Sequence, residues 1–383
     1  MRVLMVVSWW NDYLNNKIDR GVFHYDQAIA LKEYCDVAIY FPWDLTLDKK
    51  FHKENEFGIT TYRSKKSKVL RWIRIIHDFT KIITDFKPDI IHAHVGGKAG
   101  FLCVILGKLF KLPVIITEHQ AAQDMCLDKW FRKIKYNFTY SNSDANICVS
   151  KGLQKSLQKE FPNNDFHLIH NGTVTKIDYK DLDNIDYMKK DMINFCIVAG
   201  FYAQFVKGYQ YLLPSIKELV QKRKMKVFLH IVGGGEYLFF YENLAKQLGI
   251  LDHCKFYGKC EKSKVYKIIS QSDFLVSASL TESAGITVQE AMLLGKPVLV
   301  TKSVGADSLV TEDTGIIIEK GSTDALVAGI LKMANEYNSF NSNTIKEYAY
   351  KNFDMDCVTL KYIDLYKKVL TEKVNENQNY KKE

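Results

Sequence analysis

The chain has 383 residues, 47% of them apolar and 25% charged, with only 6 prolines. That length suits two domains, since single cores stop growing at roughly 250–300 residues, and the composition excludes wholesale disorder. Lys and Arg outnumber Asp and Glu, 53 against 44, a balance that favours anionic partners without choosing among phosphates, nucleic acid and acidic lipid. No window holds about 18 uninterrupted apolar residues, so no membrane-spanning helix is expected. The opening run Met1–Val7 is too short for a signal-peptide core and lacks a small-residue cleavage site, which points to the cytoplasm. The 8 cysteines are scattered without a C-x-x-C pair, which argues against a disulfide framework and against structural zinc.

Taken in chain order, short apolar runs alternate with amphipathic stretches. Strands are expected at 1–7, 37–41, 89–94, 113–119, 145–150 and 166–170, and again at 194–200, 226–232, 254–257, 273–278, 297–301 and 315–318. Helices are expected at 24–34, 69–86, 97–110, 209–222, 237–249, 261–271, 286–294 and 324–337, with further helical segments closing the chain from about 345. Several strands, such as Val3-Leu-Met-Val-Val7, are continuously hydrophobic, as strands buried on both faces of a parallel sheet are. The rhythm is that of a doubly wound α/β protein. It breaks in the polar, acid-rich stretch 174–193. The expected division is therefore 1–182, 193–345 and a terminal helical segment with a frayed tail, 346–383. Ligands of such folds sit at the carboxyl ends of the strands, in the cleft between the halves.

The most informative segment is Ser277-Ala-Ser-Leu-Thr-Glu282-Ser283-Ala-Gly285-Ile286-Thr287-Val-Gln-Glu290. A buried strand ends, a loop carries Glu282, and a helix begins just after Gly285. The amides of Ile286, Thr287 and Val288 at such a start form a ready anion site. Two carboxylates flank it, suited to accepting hydrogen bonds from sugar hydroxyls. Gly200-Phe201-Tyr-Ala-Gln-Phe-Val-Lys207-Gly208 places a lysine at a second strand-to-helix loop. Ile231-Val-Gly233-Gly-Gly235 and Phe256-Tyr-Gly258 are glycine turns after strands. Asp89-Ile-Ile-His92-Ala-His94 and Pro113-Val-Ile-Ile-Thr-Glu118-His119 end two strands of the first half.

Together these segments resemble the retaining glycosyltransferases of family four (group 1), of GT-B fold. The resemblance covers most of the chain and is most specific in 194–320. It implies two Rossmann-like domains facing a central cleft, an acceptor side first and a nucleotide-sugar side second, with a terminal helix crossing back to the first. Glu282 and Glu290 match the family's E-x7-E motif, so that Glu282 faces the donor sugar and Glu290 the ribose. Ser283, Gly285, Ile286 and Thr287 hold the diphosphate, Lys207 neutralises it, and Gly258 lines the base pocket. His119 reaches the donor sugar, and Gly21 lets the first loop approach it. His92 reads as core and His94 as cleft-facing. Phe201 stands where the family has Arg, in a loop one residue longer, with Arg20 and Lys302 as conceivable substitutes.

The activity implied is metal-independent transfer of a sugar from a nucleotide-diphosphate donor to a glycan or lipid-linked acceptor in bacterial surface polysaccharide assembly, with no cofactor. Two alternatives stay open: a non-catalytic GT-B partner with a degenerate donor site, motivated by Phe201, and an epimerase or phosphorylase of the same fold. From Arg63 to Arg74 lie six cations (Arg63, Lys65, Lys66, Lys68, Arg71, Arg74) and no acid, leading into a helix whose stripe Val69, Trp72, Ile73, Ile76, Phe79, Ile83, Phe86 reads as core-facing. With Lys129-Trp-Phe-Arg-Lys-Ile-Lys135, these cations suit peripheral contact with anionic lipid at the inner face of the plasma membrane. No nucleic-acid recognition motif is present.

Overall fold

The computed structural model describes residues 1–8, 22–45, 47–56, 58–66, 71–174 and 187–379. Gly21, Arg20, Lys68 and Val69 lie outside them. The chain splits into two units: Met1–Val149, Leu153–Gly172 and Met355–Glu383 form one, and Ser150–Gly152 with Thr173–Asp354 form the other.

In the first unit, β1 (Arg2–Val6) lies between β2 (Asp36–Asp44) and β5 (Ile90–His94). The sheet continues through β6 (Val114–Glu118) and β7 (Ala145–Cys148) to the two-residue β8 (His167–Leu168), all parallel. At the opposite edge stands a hairpin absent from the sequence expectation, β3 (Phe51–Glu56) antiparallel to β4 (Ile59–Lys65). Around the sheet run α1 (Val22–Lys32), α2 (Arg71–Phe86), α3 (Phe101–Phe110), α4 (Trp130–Ser141) and α5 (Lys151–Glu160); α4 and α5 were likewise not expected.

Two readings of this region need correction. Arg63 is not a surface cation: it is buried on β4, with Nε donating to Asp44 at 2.7 Å and a terminal nitrogen to Glu54 at 3.0 Å. The carboxylates that satisfy it come from neighbouring strands, where a buried guanidinium must find them. On α2, the core face is Ile75, Phe79 and Ile82, and Trp72 and Ile73 are exposed, Ile73 by 64%. Apolar residues occupy both sides of this helix, so periodicity alone assigned the stripe to the wrong phase.

After α11 (Ser342–Phe353), the last helix, α12 (Met355–Asn379), packs Val358, Tyr362, Ile363 and Tyr366 into the first unit's core with β1 and α1. The Tyr366 hydroxyl lies 2.7 Å from His92 Nδ1, whose Nε2 lies 2.7 Å from the Thr117 hydroxyl. Thus both ring nitrogens of the buried His92 are occupied, consistent with its reading as core.

The second unit holds a six-stranded parallel sheet in the order β11-β10-β9-β12-β13-β14. Its strands are β9 (Ile193–Val198), β10 (Val227–Val232), β11 (Cys254–Phe256), β12 (Phe274–Ser277), β13 (Val298–Thr301) and β14 (Gly315–Ile318). The helices are α6 (Tyr209–Lys217), α7 (Leu238–Gln247), α8 (Lys262–Gln271), α9 (Ile286–Leu293), α10 (Thr323–Glu336) and α11. Phe195 and Phe274 stack in its core at 4.9 Å. α11, expected with the terminal segment, shares an apolar cluster with α9 through Ile345, Ala349 and Phe353. Among the described residues, no helix is long and apolar enough to cross a membrane.

Removing the Tyr366 hydroxyl leaves a buried imidazole nitrogen unpaired, which costs about 1–3 kcal/mol. Tyr366→Phe is therefore expected to lower unfolding free energy by that amount in urea denaturation, with unchanged helical circular dichroism.

Candidate active site

In the second unit, β12 delivers the chain into a loop that begins α9. Gly285 adopts φ 69°, and no side chain caps the helix start. An added Cβ at Gly285 would sit 2.9 Å from Ala306 Cα, so both its conformation and its packing require glycine. The uncapped first amides are the feature that attracts an anion.

Glu282 stands at the mouth of this start. Its Oε2 accepts from Lys207 Nζ at 2.7 Å, and its side-chain exposure is intermediate. Burial alone would raise its carboxyl, but the Lys207 ammonium and the amides of Gly285 and Ala284 outweigh that and hold it below the usual carboxylate range. Glu282 is thus an anion across the physiological range, and Lys207 is fixed beside it. The backbone of Glu282 is itself held, its amide donating to Ser303 and its carbonyl accepting from Gly305 at 2.7 Å. Between those two residues, Val304 has φ 88°, a genuine outlier for a β-branched residue and a strain of order 1–3 kcal/mol. Ser150 ties in the next residue, donating to the Ser283 carbonyl at 2.7 Å. A Cβ at Gly152 would lie 1.5 Å from the Val304 carbonyl oxygen.

Glu290, about one turn into α9, is buried with its Oε1 3.2 Å from the Tyr266 hydroxyl. Ile286, Thr287 and Ser283 are half-buried around the helix start. Gly258 has φ 66°, and a Cβ there would meet nothing within 4 Å, so the space beside this turn is open. Gly233 and Gly235 are different: their Cβ positions would collide with the backbone of Ala199 and Phe201 at 2.1 and 2.5 Å, so packing accounts for them. Phe201 is 1% exposed and stacks on Tyr209 at 4.4 Å. It belongs to the core cluster of the second unit. Lys302 pairs with Glu319.

In the first unit, His119 directly follows β6. Its Nε2 lies 3.0 Å from Nδ1 of His94, the two rings within 12° of one plane orientation. His94 is fully buried, so it supports His119 rather than facing a cleft. His24, His94 and His119 are the one trio of potential metal ligands among the described residues. Yet the facing nitrogens of His94 and His119 make a hydrogen bond, whereas ligands must converge their lone pairs on an ion. Burial pushes His119 down to about 3, so its ring is neutral at pH 7 and can donate or accept a hydrogen bond without charge. Gly21 lies outside the described residues.

Residues 190–352 match the family described as glycosyl transferases group 1, and residues 25–176 match glycosyltransferase family 4. The chain is a family 4 glycosyltransferase of GT-B fold. An uncharacterized glycosyltransferase of Methanocaldococcus jannaschii is 27% identical over 78% of this chain and 87% of its own length. Alpha-monoglucosyldiacylglycerol synthase of Streptococcus pneumoniae is 23% identical over 71% of this chain and 64% of its own length. The fold is shared with Anabaena HepE in complex with UDP, at a TM-score of 0.77 and 15% identity, over 96% of this chain and 100% of that one.

Sequence reasoning passed over Glu118 in this glycosyltransferase. Its carboxylate accepts from the amides of Gly96, His119 and Gln120 and from the Tyr140 hydroxyl, all within 2.8–2.9 Å. It thereby fastens the end of β6 to the turn after β5. A Glu directly before a strand-end His was the available signal. Val95, at the start of that turn, has φ 78°, so among the described residues both β-branched residues of positive φ adjoin candidate site segments.

The histidine cluster gives stability a defined pH dependence. With His119 at about 3 when folded and about 6.5 when unfolded, only the unfolded chain takes up a proton between those values. Its contribution is intact above pH 6.5 and is lost as pH falls toward 3. His119→Asn is expected to flatten the decline of unfolding free energy, measured by urea denaturation, between pH 6 and 4, by up to about 1.4 kcal/mol per pH unit.

Proposed function

We propose that the protein is a retaining, metal-independent glycosyltransferase that moves a sugar from a nucleoside-diphosphate donor to a glycan or lipid-linked acceptor in bacterial surface polysaccharide assembly. The observation that carries this reading is the Lys207–Glu282 pair beside the uncapped, glycine-started α9. Lys207 spends one of three ammonium donors on Glu282 and retains two for phosphate oxygens. The first amides of α9, at Ile286 and Thr287, add aligned positive dipoles. Fixed groups of this kind stabilise charge that develops on a departing diphosphate, without reorganising when it does.

In the proposed reaction the anomeric carbon–phosphate oxygen bond breaks, and the acceptor hydroxyl bonds to that carbon on the same face. The hydroxyl proton passes to the departing phosphate oxygen. Glu282 orients the sugar, Glu290 accepts from the ribose hydroxyls, and Ser283, Gly285 and the open turn at Gly258 accommodate the rest of the donor. His119, neutral and held by His94, hydrogen-bonds the sugar and transfers no proton. HepE's complex with UDP supports a nucleotide ligand by likeness of fold.

A peripheral membrane setting at the cytoplasmic face is supported by the surface of α2, α3 and α4. Trp130, exposed by 73%, and Ile134, Phe138, Leu109 and Trp72 are exposed on these helices. Trp72, Phe101 and Phe138 form a chain of ring contacts at 6.4 and 5.7 Å, and Lys135 and Lys108 lie over its rings. Exposed apolar side chains rimmed with lysine fit an anionic bilayer interface.

The rival reading, a non-catalytic partner, draws on the absent cation at Phe201. Three measurements separate the two. Lys207→Ala is expected to lower donor turnover by about 10²–10³-fold, and Glu290→Ala to raise donor KM. Wild-type protein that neither binds nor turns over UDP-, GDP- or ADP-sugars would establish the partner instead. In flotation, the chain is expected to rise with phosphatidylglycerol vesicles at low salt and to release at high salt; Trp130→Ala should weaken that binding, and equal flotation with phosphatidylcholine would count against the surface.

A further inference from the structure

A cavity of about 390 Å³ opens in the first unit, bounded by Ser8, Val95 and Gln120. These residues follow β1, β5 and β6, so the cavity lies at the carboxyl ends of three adjacent parallel strands, where folds of this class take their ligands. Its volume falls in the ordinary range for small-molecule sites, about 300–1,000 Å³. Gln120 is next in the chain to His119.

Among the described residues, the lining is predominantly basic: Lys98, Arg132 and Lys135 line the cavity with the acid Asp124. A concave site walled by cations concentrates its field on an anion, and Arg offers two parallel donors that match a phosphate. The floor is rigid. Tyr136 donates to Gln120 Oε1 at 3.1 Å, which spends that oxygen and leaves the amide nitrogen as a donor. Glu118 fixes the turn at Gly96, and a Cβ on Gly97 would strike the Tyr136 hydroxyl at 2.4 Å. Small residues are therefore required where the cavity wall is built.

The remaining wall is apolar. Phe131 lines the cavity and is also exposed on α4, where Trp130 and Ile134 stand exposed beside it. A phosphate held by the cations could thus carry an apolar tail along that ridge.

We infer that this cavity is the acceptor subsite and that it grips an acceptor bearing a phosphate through Lys98, Arg132 and Lys135. A neutral glycan has no use for three cations. The assignment of the cavity to an acceptor rests on the glycosyl-transfer reading; the anion specificity rests on the cavity itself.

The test is calorimetric titration of the full chain with three probes below their aggregation limits: dihexanoyl phosphatidic acid, dihexanoylglycerol and glycerol 3-phosphate. Phosphatidic acid is expected to bind at least about tenfold more tightly than dihexanoylglycerol, as one added charge-assisted contact implies. The double variant Lys98→Gln/Arg132→Gln, altered only at side chains not fully buried, should lose at least that factor while keeping the wild-type melting temperature. Glycerol 3-phosphate binding as tightly as phosphatidic acid supports the phosphate grip and names a soluble source; much weaker binding supports it and names a lipid. Equal affinity for the neutral and phosphorylated lipids, binding of none of the three, or an unaffected double variant overturns the inference. UDP-induced thermal stabilisation is followed in parallel. Its absence in wild type would remove the transfer reading while leaving phosphate binding in the cavity to be judged by the titrations.

Discussion

A helix that begins on glycine, with no side chain to satisfy its first amides, has an electrostatic debt that water or an anion must meet. At α9 the surrounding chain keeps that start open. Gly285 can take the left-handed turn, Glu282 is pinned through backbone bonds to Ser303 and Gly305, and its carboxylate holds Lys207 in place. Positive dipoles and a positive side chain therefore stand ready before any ligand arrives. Val304, at φ 88°, lies in the strand-end loop between Ser303 and Gly305, the two residues that hold the Glu282 backbone.

The first unit is organised around a different constraint, the satisfaction of buried polar groups in a core of parallel strands. Tyr366 on α12 occupies His92, His92 occupies Thr117, and His94 occupies His119. Glu118 is raised by burial yet held by four hydrogen bonds that oppose the rise. Such networks fix side-chain orientation because an unpaired buried member is so costly. The terminal helix is thus part of what positions the strand ends, from a sequence separation of 274 residues between Tyr366 and His92.

Much of this could be read from the chain. Continuous runs such as Val3–Val7 and Val298–Thr301 announce parallel strands buried on both faces, and Glu282, Gly285 and Glu290 stand at the strand-to-helix junction their spacing implied. Much of what escaped reading depends on partners remote in sequence. The β3–β4 hairpin alternates polar residues with no apolar run, and its place is set by pairing to β2. Arg63 looks like its basic neighbours until Asp44 and Glu54 close on it. Trp72 and Ile73 sit at helical spacing with the core residues, and only the packed sheet decides which side faces inward. His94 and Glu118 act through neighbours one strand away, which no local pattern displays.

Under the proposed function, a donor diphosphate is held by the first amides of α9 and by Lys207. A crystal structure of the protein with a hydrolysis-resistant nucleotide sugar tests it most directly. Phosphate oxygens are expected within hydrogen-bond distance of the Ile286 or Thr287 amide and of Lys207 Nζ, with the ribose against Glu290. A diphosphate bound elsewhere, with Lys207 still engaged only by Glu282, would contradict it.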